Sequence, residues 1–296
     1  MIIRKAGDVT PAVLEAMANT PDPRLRAVMD AFVRHMHAFV DEIEPTDEEF
    51  DRAIGFLNRI GQTTGAKHNE AILFSDAFGI STLVCLINHA RQGRPGTDAA
   101  LLGPFWRLNQ PATENGGSIV RCDTPGEPLF VTGTVVGTGG EPIAGAEIDV
   151  WHASPGGMYE VQDPDQVEMN LRGKLHSDAQ GRFSFRTVKP AGYPIPTHGP
   201  TGDLLRAQRR EPMRPAHIHF LIHKPGLRTL ITQVFVNDDP RLERDVVFGV
   251  TGDLVGDYRP HEGAAPAPDV KGRWHSLDHR FVMEPGESVL PHPPIE

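Results

Sequence analysis

The chain has 296 residues, 39% of them hydrophobic, and a formal net charge of −10 with no long basic run. That composition allows a sizeable core and argues against a nucleic-acid surface. Its two cysteines, Cys85 and Cys122, argue against a disulfide framework and a thiolate metal site, and they fit a reducing cytoplasm.

The first hundred residues carry helical spacing. Over residues 24–40 the apolar side chains Leu25, Val28, Met29, Phe32, Met36, Phe39 and Val40 fall on one stripe. Thr46 followed by Glu49 is a capping-box pair, and Phe50, Ile54, Leu57 and Ile60 keep the period behind it. A third helix is predicted over residues 69–88, with the stripe Leu73, Ala77, Ile80, Val84 and Ile87. Such stripes either pack into a core or meet a partner, and periodicity does not separate the two. The helical pattern ends near Arg94-Pro95-Gly96, before a Pro-, Gly- and Asn-rich connection over residues 103–117. Residues 1–12 hold no signal-peptide run. No stretch reaches the roughly 20 apolar residues that span a bilayer, so membrane insertion is not expected.

The period then changes. Short strands are predicted over residues 129–136, 146–151, 182–188, 217–222 and 229–236, separated by Gly/Pro turns. The Pro/Ala-rich residues 261–269 read as a loop. The expected fold is mixed α+β, with a helical region over residues 1–100 and an antiparallel β-sandwich over residues 101–296.

Chemistry concentrates in Arg214-Pro215-Ala216-His217-Ile218-His219-Phe220-Leu221-Ile222. Strand alternation puts Ala216, Ile218, Phe220 and Ile222 on a core face, and His217 and His219 on the other. Two imidazoles so placed can converge on one metal ion: zinc, copper or iron. A cupin normally adds a downstream Glu; here His223 and Lys224 follow, and His223 is not assigned as a ligand. The chain has only three tyrosines, and two of them, Tyr159 and Tyr193, sit in Gly- or Pro-rich turns.

An ordered series of motifs surrounds these residues. It runs through Val131-Thr132-Gly133-Thr134-Val135, then Gly140-Glu141-Pro142-Ile143-Ala144-Gly145-Ala146-Glu147-Ile148-Asp149-Val150-Trp151, then Gly157-Met158-Tyr159. It continues through Asn170-Leu171-Arg172-Gly173, Pro190-Ala191-Gly192-Tyr193-Pro194-Ile195-Pro196, the histidine segment and Asp245-Val246-Val247-Phe248-Gly249-Val250. In order and spacing this series resembles the intradiol ring-cleavage dioxygenases over residues 103–250. The helical half resembles the dimerising region of the catechol and hydroxyquinol branches.

The resemblance implies one Fe(III) per subunit, bound by Tyr159, Tyr193, His217 and His219. It implies that Tyr193 leaves the metal and helps accept the diol protons, while Tyr159 stays. Arg214 corresponds to an arginine beside the reacting ring, and Gln233 to a glutamine near the oxygen site. Phenolates are hard anionic donors, which suits a ferric ion. The stretches Leu73-Phe74-Ser75-Asp76-Ala77-Phe78-Gly79 and Leu101-Leu102-Gly103-Pro104-Phe105 resemble the hydroxyquinol branch. There Leu73, Asp76, Ile195, Pro196 and Val247 correspond to pocket positions. Leu73 and Asp76 share a helix face, so Asp76 could accept a hydrogen bond from a third ring hydroxyl. Trp106 departs from that branch's pattern.

The implied reaction is cleavage of hydroxyquinol (benzene-1,2,4-triol) by O2 to a maleylacetate precursor. A catechol or substituted-catechol 1,2-dioxygenase is the alternative within the class, and a non-catalytic β-sandwich binding module the alternative outside it. The implied partners are a small aromatic diol or triol, O2, and a second copy forming a homodimer through the helices, with a phospholipid at that interface.

Overall fold

A computed structural model describes residues 2–65, 68–90 and 96–294. The expected helix stop at Arg94-Pro95 lies outside the described residues. The chain divides into two compact units, Met1–Asn58 and Arg59–Glu296.

The first unit is helical: α1 (Val9–Ala16), α2 (Pro23–Ile43) and the start of α3 (Asp47–Thr63). Helix α2 begins where Asp22 Oδ1 accepts from the Arg24 and Leu25 amides at 2.7 and 3.2 Å, with Pro23 in the first turn. The capping box of α3 is formed as expected: Thr46 Oγ1 accepts the Glu49 amide at 3.3 Å, and Glu49 Oε2 accepts the Thr46 amide at 2.9 Å. Much of the α2 stripe stays in solvent; Phe32 is 55% exposed and Phe39 52%. Val33 is the buried residue of this helix.

The helix predicted over residues 69–88 is two helices, α4 (Glu70–Ala77) and α5 (Ile80–Ala90), bent 74° apart. Gly79, at φ +71°, takes the left-handed turn between them. Steps of three and four continue across such a bend, so the stripe did not register it. No single described helix is long and apolar enough to cross a membrane.

The strands, in chain order, are β1 (Pro128–Gly137), β2 (Glu147–Trp151), β3 (Arg172–His176), β4 (Arg182–Val188), β5 (Tyr193–Pro194), β6 (Met213–Arg214), β7 (His217–His223), β8 (Leu230–Val236), β9 (Val255–Gly256), β10 (Arg259–Glu262) and β11 (Arg273–Met283). A short helix, α6 (Pro200–Ala207), falls between β5 and β6. The strands form a four-stranded sheet, β10-β11-β1-β4, a five-stranded sheet, β3-β2-β7-β8-β9, and the pair β5-β6. Their inward faces meet in one core containing Phe183, Phe185, Phe220 and Phe281. Gly133 leaves room for the Phe183 ring, whose Cζ lies 2.1 Å from where a Cβ would stand.

The sandwich is mixed, not purely antiparallel: β1 pairs with β11, and β8 with β9, in parallel. Both partners return after long excursions of chain, which is what parallel pairing requires. β11 escaped the sequence pattern because charged and polar residues interleave its inward Leu277, Phe281 and Met283. His261 and Glu262, expected in a loop, pair with Trp274 and Arg273 in a strand.

Candidate metal centre and active-site cleft

Strand β7 divides as its alternation predicts. Ala216, Ile218, Phe220 and Ile222 enter the core, and His217 and His219, each 1% exposed, face the other way. The ladder sets Trp151 on one side of His219 and Gln233 on the other. The Trp151 indole stacks on the His219 ring at 4.6 Å and 8°.

The four sequence-predicted ligands come together. His217 Nε2 and His219 Nε2 are 3.1 Å apart, and the hydroxyls of Tyr159 and Tyr193 are 3.4 Å apart. The Tyr193 and His217 rings lie 5.5 Å apart. His217 Nδ1 donates to the Pro215 carbonyl at 2.7 Å, which leaves the Nε2 lone pair facing its neighbour. Burial, and then the charge of Arg214, hold His217 well below the ordinary histidine range; burial and His217 do the same for His219. Both are therefore neutral, the ligating form. Burial, and then Tyr193, raise Tyr159 well above the ordinary tyrosine value, so its phenolate at neutral pH needs a cation beside it. Among the described residues, no group of three or more His, Cys, Asp or Glu could hold a metal; what stands beside the two imidazoles is a pair of tyrosine hydroxyls. Two oxygens and two nitrogens of this kind fit a hard trivalent ion.

Strand parity alone did not place Arg214 with the histidines. The structure does, because Pro215 separates β6 from β7 and Arg214 pairs with Tyr193 across β5-β6. Arg214 Nη1 is 3.3 Å from His217 Nε2, and Nη2 donates to Gln233 Oε1 at 2.8 Å. Asp245 accepts from Arg214 Nε and Nη2, both at 3.1 Å. Gln233 is fixed in turn by donating to the Leu101 carbonyl at 2.6 Å. No role was read for Asp245 from sequence; its only signal was an acid set against the apolar pair Val246-Val247.

The segment over residues 101–105 wraps the site. At Gly103, φ +72°, a Cβ would stand 3.3 Å from His219 Cε1. Phe105 stacks on Tyr159 at 4.3 Å. Trp106 turns away and donates to Asp149 Oδ2 at 3.1 Å, so it does not line the cleft. That cleft, of about 870 Å³, is lined among others by Leu73, Phe105, Met158, Ile195, Pro196 and His198. Leu73, Ile195 and Val247 share one buried apolar cluster. Asp76 is buried as well; of the five expected pocket positions Leu73, Ile195 and Pro196 line the cleft, whereas Asp76 and Val247 lie behind that lining. Burial raises the Asp76 carboxyl above the usual range, opposed by a Ser81 hydrogen bond and the charge of Arg214.

His152, one residue past β2, is buried with Nδ1 on the Ala153 carbonyl and Nε2 on Thr187 Oγ1. Burial lowers its pKa from 6.5 to about 4. Below pH 6.5 the unfolded chain binds a proton that the folded chain refuses, so stability falls as pH drops from 6.5 to 4. At pH 5 this residue alone is expected to cost about 2 kcal/mol. Urea unfolding at pH 7 and pH 5 measures it; the same loss in His152→Gln would assign the effect elsewhere.

A family model described as "Catechol dioxygenase N terminus" matches residues 22–96, and one described as "Dioxygenase" matches residues 102–283. The chain is 43% identical to a hydroxyquinol 1,2-dioxygenase of Rhizobium sp. (strain MTP-10005), covering 92% of each. Its fold is similar to hydroxyquinol 1,2-dioxygenase from Pseudomonas putida DLL-E4, at TM-score 0.88 and 40% identity, covering 95% of this chain and 99% of that one. It is also similar to catechol 1,2-dioxygenase from Pseudomonas arvilla C-1, at TM-score 0.84 and 30% identity, covering 99% and 98%.

Proposed function

The chain belongs to the intradiol ring-cleavage dioxygenase family, and we propose that its substrate is hydroxyquinol, opened by O2 between the two adjacent hydroxylated carbons to a maleylacetate precursor. Both atoms of O2 enter the product, so no external reductant is needed. The family membership leaves no place for a non-catalytic binding module. The observation that carries the reading is the buried meeting of two tyrosine hydroxyls and two imidazole nitrogens beside Arg214 and a cleft.

Tyr159, Tyr193, His217 and His219 would hold one ferric ion. When bound, it supplies a Lewis acid that makes the diolate ring carbon reactive toward O2. The remaining work belongs to the chain. Tyr193, next to the cleft-lining Pro194, would take a diol proton at its Oη when held as phenolate. Tyr159 would remain in the donor set. Arg214, held by Asp245 and Gln233, sets a fixed positive charge where negative charge develops on the ring. Leu73, Ile195 and Pro196 exclude water from the apolar side of the ring.

Asp76 is the reader of the third hydroxyl. Catechol would leave that buried carboxyl with its Ser81 hydrogen bond but short of the ring hydroxyl, a cost of about 1–3 kcal/mol. Oxygen uptake by the iron-loaded protein, with the product identified and non-enzymatic oxidation subtracted, tests both substrates side by side. The expected result is a preference for hydroxyquinol that falls about 10-fold or more in Asp76→Asn. A preference for catechol would keep the reaction type and overturn the substrate.

The helices over residues 1–100 form the dimerisation region, and residues 101–296 the catalytic domain. Support comes from the exposed apolar residues of α2, α3 and α5, among them Phe32, Leu57 and Leu83. Solvent does not favour such stripes unless something covers them. A second copy covers them here, with a phospholipid filling what the two leave open.

A further inference from the structure

The four donors are not equivalent in their surroundings, and the difference lies at Arg172. This arginine is fully buried. Its Nε donates to Glu160 Oε1 at 2.7 Å, and its Nη1 donates to the Phe105 carbonyl at 2.6 Å. Its guanidinium carbon lies 5.9 Å from the centroid of the Tyr159 ring and over it. Glu160 follows Tyr159 in the chain, and the Phe105 ring stacks on Tyr159 at 4.3 Å and 26°. One planar fork therefore ties together the two backbone segments that hold this ring.

The charges are unequal too. Glu160 also accepts from Arg107 Nη1 at 3.2 Å, so two guanidiniums share one buried carboxylate. The other carboxylate on Arg107, Glu168, is 75% exposed. Its charge is screened by solvent, and the buried group keeps an excess of positive charge on the Tyr159 side. Tyr193 has a different setting. Among the described residues no guanidinium lies over its ring; Arg214, its partner across β5-β6, is instead turned to Asp245, His217 and Gln233. It starts a two-residue strand, and Pro194 and Ile195 beside it line the cleft.

We propose that Arg172 is the positioning residue that makes the two tyrosines unequal: it clamps Tyr159 between Phe105 and the Glu160 turn, so that Tyr159 stays in place while Tyr193 is the one free to move. The proposal rests on the ligand assignment given under Proposed function. Arg172 touches neither substrate nor O2, and acts only through Tyr159.

Two iron-loaded variants test it against the wild type. The first is Arg172→Met combined with Glu160→Gln, which removes both charges together and leaves Arg107 to Glu168. The second is Arg172→Lys, which keeps a charge but loses the planar fork, and which decides the matter if the double variant does not fold. Iron per chain, the visible phenolate-to-iron absorption, kcat and KM are measured for each. The wild type is expected to hold iron and show the band. In the double variant the band moves to longer wavelength, because a phenolate stripped of its neighbouring cation gives up electron density more easily. Turnover falls about 10- to 100-fold in that variant, the scale of a misplaced catalytic group, while KM changes far less. Arg172→Lys keeps more of the band position than of kcat. Variants with the wild-type band and wild-type kcat overturn the role of Arg172. A wild type that takes iron without any phenolate band overturns the ligand assignment itself, and the proposal with it.

Discussion

Tyr159→Phe is expected to strip the protein of most of its iron while leaving the fold intact. Among the described residues the hydroxyl has one hydrogen-bond partner, the Tyr193 hydroxyl at 3.4 Å, a long contact whose loss is expected to change stability by no more than about 1 kcal/mol. The ring itself is held by Phe105 and lies beneath Arg172, and phenylalanine fills the same space. The oxygen is what a metal loses. Removing a group that merely orients a ligand costs about 10–100-fold in metal affinity, so deleting a donor is expected to cost at least the upper end of that range. Dialysis against a chelator, followed by metal analysis, visible spectroscopy and a thermal melt, separates the two effects. A variant with full colour and full activity would remove Tyr159 from the ligand set.

Arg214→Met carries the second large effect, on rate and on stability together. The guanidinium sits 3.3 Å from His217 Nε2, beside the place proposed for the reacting ring. Loss of one such electrostatic stabiliser is expected to lower kcat by about 10²–10³-fold. It would also strand Asp245, whose carboxylate is buried and receives two of the arginine's donors. Breaking one partner out of a buried pair is expected to cost about 3–5 kcal/mol. Arg214→Met with Asp245→Asn separates the roles. Stability should return, because no unpaired charge is left inside, while kcat should stay low. If the double variant regains turnover along with its melting temperature, Arg214 serves the fold and not the reaction. Oxygen-uptake kinetics and urea unfolding on the same preparations distinguish these outcomes.

The sequence by itself determined what local rules can reach. Alternation along a strand fixed the opposite facing of Ile218 and His219, because a strand has no other periodicity to offer. Asp22 and the Thr46–Glu49 pair announced helix starts that the backbone then made. The motif series pointed to both tyrosines as well as both histidines, side chains that the fold brings together although Tyr159 and Tyr193 lie 34 residues apart.

Other features depended on neighbours that sequence spacing does not name. The 74° bend at Gly79 preserves the helical stripe, so periodicity passes over it. The parallel entry of β11 depends on which edge of β1 is free to accept it. Arg214 defied strand parity because it belongs to a separate two-residue strand paired with Tyr193. Asp245 and Arg172 read as ordinary charged residues until the fold buries them against Arg214 and Tyr159. Local structure follows from the geometry of a few consecutive residues. The partner of a buried charge is chosen only when distant segments close around it, since the cost of burial is met by whichever opposite charge the tertiary structure brings there.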